Sequence, residues 1–472
     1  MIAAVIAKEF RELARDRRIG IIAIVLSLLA LVAIVIGTVQ QARYADDRRI
    51  AVAADQSLWY DQGAVNPHVA AHMGQYAFRP PAALGPFDPG LSPWLGQAVW
   101  IEAHYQNPPQ ARPAQSAGLV QRFGDLSPAW ILQALMPLLI VMAGFAAIAG
   151  EREGGNLRLQ LMQGARPLPL LAGKAGAMFG GAALLVTGIL LVGGGFTTLT
   201  GGINADGLLR LASAWVVYLL YAAVWAALTV GVSALAATAR GALLALLCLW
   251  MTSVVLVPRL AAEQAIRSHP VPSAGEFWND VTIARQAGVT GHDVGNPAMA
   301  TLQKEVLAQY GVTSLEELPV DFSGIALQKG EEYSDTIYDR LYGDLAAIED
   351  AQATSQRWFA PLSPAISVRF LSMGLAGSDL LHQRAFAAAA ETHRRTLQRQ
   401  LNAEQTRTGK GRNNANTADR SFWETVRTFT YRSPGLETFA ERYLADLAII
   451  LGWVVAALAF LAFAARRLGK RA

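Results

Sequence analysis

The chain has 472 residues, a formal net charge of +4 and 53 % hydrophobic residues. The apolar excess is gathered into runs of about 20 residues, the length that crosses a bilayer, which excludes a soluble globular protein. Basic anchors beside those runs account for the mild positive balance, so it implies no nucleic-acid partner, and the single cysteine, Cys248, lies inside a run and excludes a disulfide framework.

Residues 1–18 place Ile2, Ile6, Phe10 and Leu13 on one face of a helix and Lys8, Arg11, Arg15 and Arg18 largely elsewhere, the pattern of an elbow helix in the cytoplasmic membrane interface. Residues 19–39 carry no charge and form the first span; the run is too long for a signal-peptide core and no small-residue cleavage site follows it. Residues 40–126 read as a first external domain, loop-rich, with Trp59, Tyr76, Phe78, Phe87, Trp94, Trp100 and Tyr105 as core candidates. Ser127 as cap and Pro128 at the first helical position open the second span, 127–149.

Residues 150–170 form a basic cytoplasmic loop. Inside it Leu157, Leu161 and Met162 recur at helical spacing between the Gly154-Gly155 break and the stop at Pro167 and Pro169, predicting a short helix with one apolar face to dock. Spans three, four and five follow at 171–198, 211–236 and 241–257, the last ended by Pro258; Gly176, Gly180, Gly181 and Gly188 give span three small surfaces for close helix approach. Residues 259–442 read as a second, larger external domain containing a charged helical stretch at 378–405 and a mobile Gly/Asn-rich loop at 406–418. Span six is 443–465, and the tail 466–472 carries Arg466, Arg467, Lys470 and Arg471. Both external domains are expected to be mainly α or α+β and to fold on cores of their own.

Five basic residues precede span one, four lie in the central stretch 150–174, Arg240 sits between spans four and five, and four follow span six, whereas the short outer turn has only Arg210. This bias puts both termini in the cytosol of a bacterial inner-membrane protein. The Gly-Lys pairs at Lys174, Lys410 and Lys470 lack both the upstream glycine and the following hydroxyl residue of a phosphate-binding loop, and no His-Glu-x-x-His or Gly-x-Ser-x-Gly is present. The chain is therefore expected to be no enzyme and to have no nucleotide site of its own.

The order Glu151-Arg152-Glu153, glycine, Leu157-Arg158 and then Gly173-Lys174 opening a new apolar run resembles the cytoplasmic loop of permease subunits of ABC-2 type exporters. NPHVAAHMGQYAFRP at 66–80, FDPG at 87–90, IEAHYQN at 101–107, LPVDFSGI at 318–325 and LSPAISVRFLSMGLAGSDLLHQRAF at 362–386 resemble the DUF3526 group of these permeases. The resemblance implies a permease subunit driven by a separate ATP-binding subunit, which binds the ATP, and paired with a second copy or a related permease. It also implies that Glu151, Glu153, Leu157 and Leu161 lie at or near the ATPase contact, and it leaves the cargo open.

His68 and His72, four residues apart, can share a helix face, and with His104, Glu102 or Asp88 they would complete an oxygen/nitrogen metal site. The sequence favours the plainer reading, in which these histidines hydrogen-bond within the first domain and position its loops, so no metal or other cofactor is expected. Ser378, Asp379 and His382 occupy neighbouring helix positions, which do not make a catalytic triad; a cap at Ser378 accounts for them. Gln133, Thr187, Thr229, Thr252 and Ser253 are the polar candidates for lining a pathway. Besides an exporter, two readings stay open: a mechanotransmitter that relays ATP-driven motion to a periplasmic partner, and an external metal-handling module on a membrane anchor.

Overall fold

The computed structural model describes residues 1–116, 126–201, 204–288, 296–411 and 415–470. Six helices are long and apolar enough to cross a membrane, and the chain is an α-helical multi-pass membrane protein. The amphipathic helix α1 (Ile2–Arg15) leads through Asp16, whose side chain accepts from the Arg18 amide at 2.8 Å, into span one, α2 (Arg17–Tyr60). α2 runs 44 residues, far past the expected end at 39, because residues 40–60 contain no glycine or proline to stop it.

Span two, α4 (Pro128–Glu153), starts as the sequence indicates: Ser127 accepts from the Trp130 amide at 3.1 Å with Pro128 at the first position. Pro137 is absorbed by a π-helical turn at Ile131–Leu135, and the helix loosens at residues 145–148. The short α5 (Asn156–Met162) precedes α6 (Pro167–Gly201), α7 (Ala205–Leu235) and α8 (Ala239–Ser268), which are spans three to five. Pro258 does not end span five as expected. A second π-helical turn, Met251–Leu256, widens the helix just before the proline and lets it continue to Ser268. Span six is α14 (Leu436–Gly469).

The first inter-span segment contributes α3 (Pro67–Met73) and an antiparallel pair, β1 (Gln75–Phe78) and β2 (Ala98–Ile101), in register from Gln75↔Ile101 to Phe78↔Ala98. The second contributes α9 (Ala274–Gln286), α10 (Pro297–Tyr310), α11 (Phe322–Arg357), α12 (Pro364–Ala376) and α13 (Leu380–Thr408). The expectation of separate cores is corrected. Trp59, Ala71 and Ile101 of the first segment share one core with Phe386, Leu397 and Trp423 of the second. Val65 and Ala418 exchange both backbone hydrogen bonds across the join, and Trp59 Nε1 donates to the Trp423 carbonyl. A lone hairpin and a two-turn helix are too small to bury two faces, so the first segment completes itself on α13. The α10–α11 pair keeps a small cluster of its own, around Met299 and Phe322.

A further part of the second segment belongs to the membrane bundle. α12 is buried along nearly its whole length, and its Val368 and Leu371 join the core formed by the spans. The expected mobile loop at 406–418 is also partly ordered: Thr406 and Thr408 end α13, and Asn416 donates to the Gln405 carbonyl at 3.2 Å and to Thr408 Oγ1 at 2.6 Å. Residues 412–414 of that loop, Asp125 at the end of the first segment and Arg471 of the tail lie outside the described residues.

Because Trp423 is fully buried against Trp59, Trp423→Ala should cost about 3–5 kcal/mol and loosen both segments together. Limited proteolysis of the purified protein is expected to open new cut sites in both 43–116 and 380–430; cleavage confined to one of them would mean that the segments fold separately.

Candidate functional site

The loop that carries the sequence signature is built into a polar node. α1 packs along α6, where two glycines clear the way: a Cβ at Gly173 would lie 2.6 Å from the Val5 Cβ, and one at Gly176 3.0 Å from Ile6 Cδ1. Gly180 receives Phe10 in the same way, whereas Gly181 and Gly188 face open space and Ile2 is largely exposed. At the centre of this contact Lys174, only 2 % exposed, donates to Glu9 of α1 at 2.6 Å and to Glu151 at the end of α4 at 2.9 Å. Lys8 sits at the rim, 3.3 Å from both Glu9 and Glu12; burial opposes its charge, but the two carboxylates outweigh that and raise its pKa.

Two further side chains tie the end of span two and the loop to span four. Ser233 of α7 accepts from the amides of Ile148 and Ala149 and donates to the Phe145 carbonyl, satisfying the backbone groups that the loosened turn frees. The Arg152 guanidinium reaches the last carbonyls of α7, those of Ala234 and Ala236. α5 then lies on the end of the bundle with Leu157 buried in its core and Leu161 partly buried beside it.

The four residues expected at a partner contact are therefore redistributed. Leu157 and Leu161 face inward, and Glu151 is engaged by Lys174; Glu153 alone is exposed. The apolar surface that α5 offers is Leu159, 58 % exposed, and Met162, 74 % exposed. The sequence placed the helix but not its roll, because Leu157, Leu159, Leu161 and Met162 leave two faces apolar.

Most of the polar residues considered for a pathway are consumed in packing. Gln133 donates to Tyr218 Oη at 3.0 Å, Tyr218 and Ser372 Oγ lie 2.8 Å apart, and Ser372 donates to Asp88 at 2.5 Å, a buried chain joining spans two and four, α12 and the first segment. Burial raises the Asp88 pKa, with Ser372 and the Gly90 amide opposing. Thr187 accepts from Trp215 Nε1, Thr229 and Ser253 are buried, and Thr252 is exposed.

The three candidate histidines converge. His68 and His72, on α3, place their Nε2 atoms 3.3 Å apart, and His104, in the turn after β2, brings its ring centroid to 4.5 Å from His72 and 5.1 Å from His68. One ring nitrogen of each lies within 4.8 Å of the others. His104 Nδ1 is 2.9 Å from Glu331 of α11, both side chains being 5 % exposed. Sequence alone could not show this, since His104 and Glu331 arrive from distant segments. Asp88 is engaged elsewhere, and Glu102 is a buried acid whose carboxyl is pushed up to about 7 by desolvation against the pull of Arg394 and Arg285.

Ser378, Asp379 and His382 form no triad. The cap of α13 is Asp379 rather than Ser378: it accepts from the His382 amide at 3.0 Å, contacts His382 Nδ1 at 2.5 Å and accepts from the Tyr443 hydroxyl. Ser378 Oγ turns to the Met373 carbonyl.

Residues 3–305 match the family described as ABC-2 family transporter protein, and residues 274–432 match the domain of unknown function DUF3526. The chain belongs to the ABC-2 transporter family. No curated protein matches it. As an ABC-2 permease of the DUF3526 group it is a membrane component of an ABC transporter, and membership implies an ATP-binding subunit as partner. In such a subunit the Lys174 node joins the elbow, the loop and span three through one buried ammonium. Lys174→Met leaves Glu9 and Glu151 with only the rim ammonium of Lys8, 3.3 and 3.8 Å away, and should cost about 3 kcal/mol. Melting in detergent is expected to fall for that variant and to recover in the Glu9→Gln, Glu151→Gln, Lys174→Met combination; equal losses in both would mean that the charges are solvated rather than coupled.

Proposed function

We propose that this chain is the transmembrane half of an ATP-driven exporter in a bacterial inner membrane, with both termini, the elbow helix and α5 in the cytosol and the two inter-span segments outside. A separate ATPase docks on the exposed Leu159 and Met162 of α5. The observation that carries this reading is the two-sided build of α5: one face is sunk into the bundle through Leu157, while the opposite face leaves two large apolar side chains uncovered. A push on that face passes through Glu151 and Lys174 to the elbow and span three, and through Arg152 to span four. No phosphate-binding loop lies in the chain, which supports ATP being bound by the partner.

Dimerisation, with a second copy or a related permease, completes the reading. Of the candidate pathway residues only Thr252 is exposed, so a polar route would run along a surface that a second subunit must close. The same observation favours mechanotransmission as the second reading: a bundle whose polar groups are spent on packing can relay motion to the shared outer body without passing cargo.

Burying Leu159 and Met162 contributes about 1.5–3 kcal/mol each, so Leu159→Asp with Met162→Asp should abolish co-purification of the ATPase and stimulated hydrolysis while insertion and melting stay normal. Leu157→Asp should instead lower the melting temperature. A Leu159→Asp, Met162→Asp chain that still recruits and stimulates the ATPase would defeat the proposal. For sidedness, in a Cys248→Ala background a cysteine replacing Gln163 should resist a membrane-impermeant thiol reagent in intact cells and one replacing Thr417 should react; the opposite pattern reverses the orientation.

A further inference from the structure

We propose that His68, His72 and His104 bind a divalent transition cation of the zinc class through three imidazole nitrogens, with Glu331 as the residue that orients His104. The geometry comes first. Zinc holds imidazole nitrogen at about 2.0–2.1 Å, so two ligands of a tetrahedron stand roughly 3.3 Å apart. The Nε2 atoms of His68 and His72 are separated by 3.3 Å, and one ring nitrogen of each of the three histidines lies within 4.8 Å of the other two. Closing the longer edges asks for rotation of the His68 and His72 rings, of which His72 is exposed at the end of a seven-residue helix.

The surroundings are those of a ligand set rather than of three packing rings. The rings are tilted at 55–76° to one another rather than stacked face to face. His104 Nδ1 lies 2.9 Å from the buried Glu331 carboxylate, and a proton held between them on Nδ1 would leave Nε2 as the donor to a metal. Glu331 is itself held by Asn402 Nδ2 at 2.5 Å, and the backbone on either side of the site is fixed: the Ala103 amide donates to the Ala71 carbonyl, and Arg394 donates to the Ala103 carbonyl at 2.6 Å. His68 is set by Asn66, which caps α3 and also donates to Gln405 of α13. Three neutral imidazoles with no cysteine suit zinc over softer or oxygen-seeking ions, and a three-nitrogen set leaves the fourth position, on the exposed His72 side, to water or a donor group from outside. A bound ion would fasten α3 to the turn after β2 and, through Glu331, to α11, so it would clamp the two inter-span segments across their shared core. The inference stands on this geometry and is independent of the exporter reading.

The test uses the full-length protein, purified in detergent without a histidine tag, stripped with chelator and dialysed against buffered micromolar free zinc. Wild type is expected to retain about one zinc per chain by elemental analysis, to show the intense visible bands of tetrahedral cobalt(II) when loaded with that ion, and to melt higher with zinc than without. His72→Ala removes an exposed ligand, so its metal-free melting should match metal-free wild type while its zinc content and zinc-dependent stabilisation are lost. Glu331→Gln should keep the site and weaken zinc binding by about 10–100-fold. Absence of stoichiometric zinc in wild type, or undiminished binding and stabilisation in His72→Ala, would overturn the proposal and leave the trio as a hydrogen-bonded cluster.

Discussion

One buried ammonium sets the arrangement of one end of this permease's helix bundle. Lys174 lies in an apolar bundle where an unpaired charge is prohibitively costly, so Glu9 and Glu151 must stay within reach of it. That requirement fixes the elbow against span three and the end of span two beside both. The glycines at 173 and 176 are part of the same constraint, because the ion pair forms only if the two helix backbones come close enough for Val5 and Ile6 to sit where side chains would otherwise be. The loop and the elbow are thus tied to span three by a single ion-pair node.

Arg210 plays a comparable part at the opposite end of the bundle. It is almost fully buried, pairs with Asp206, donates to the terminal carbonyls of α12 at Gly374 and Leu375, and reaches the Pro434 carbonyl just before span six. Asp206 in turn accepts from the Leu436 amide. A guanidinium meeting the negative end of α12 and the entrance of span six joins three elements with one side chain. Deep in span six, the buried Asp446 is matched by Arg357 from the end of α11, so its charge also has a partner supplied from outside the bundle.

Much of this architecture was legible in the sequence, for reasons that differ from residue to residue. The spans were, since about 20 apolar residues in a row have few other uses, and so was the start of span two, because Ser127 and Pro128 signal a helix entry locally. Helix ends governed by what is absent were not: nothing in residues 40–60 stops α2, and Pro258 looks like a stop unless the widened turn before it is known. Arg210 read as a stray outer charge because its partners lie at 374, 375 and 434. The inward roll of Leu157 and the meeting of His104 with His68 and His72 are likewise tertiary facts, since each depends on which distant surface arrives to bury or complete a residue whose local pattern permits several outcomes.

The unbroken run of α2 has a mechanical meaning. At 1.5 Å per residue its 44 residues make a rod about 66 Å long, and it ends with Trp59 wedged against Trp423 in the core shared by both inter-span segments. A rod of that length is a lever arm: tilting it by about 5° about one end carries the other end roughly 6 Å. The glycine-free stretch beyond residue 40 gives it no hinge at which to dissipate the swing. A change of tilt in span one, too slight to repack the bundle, would therefore displace Trp59 by a distance comparable to the spacing of packed side chains, and the body shared by the two inter-span segments would have to follow it or come apart at its tryptophan pair.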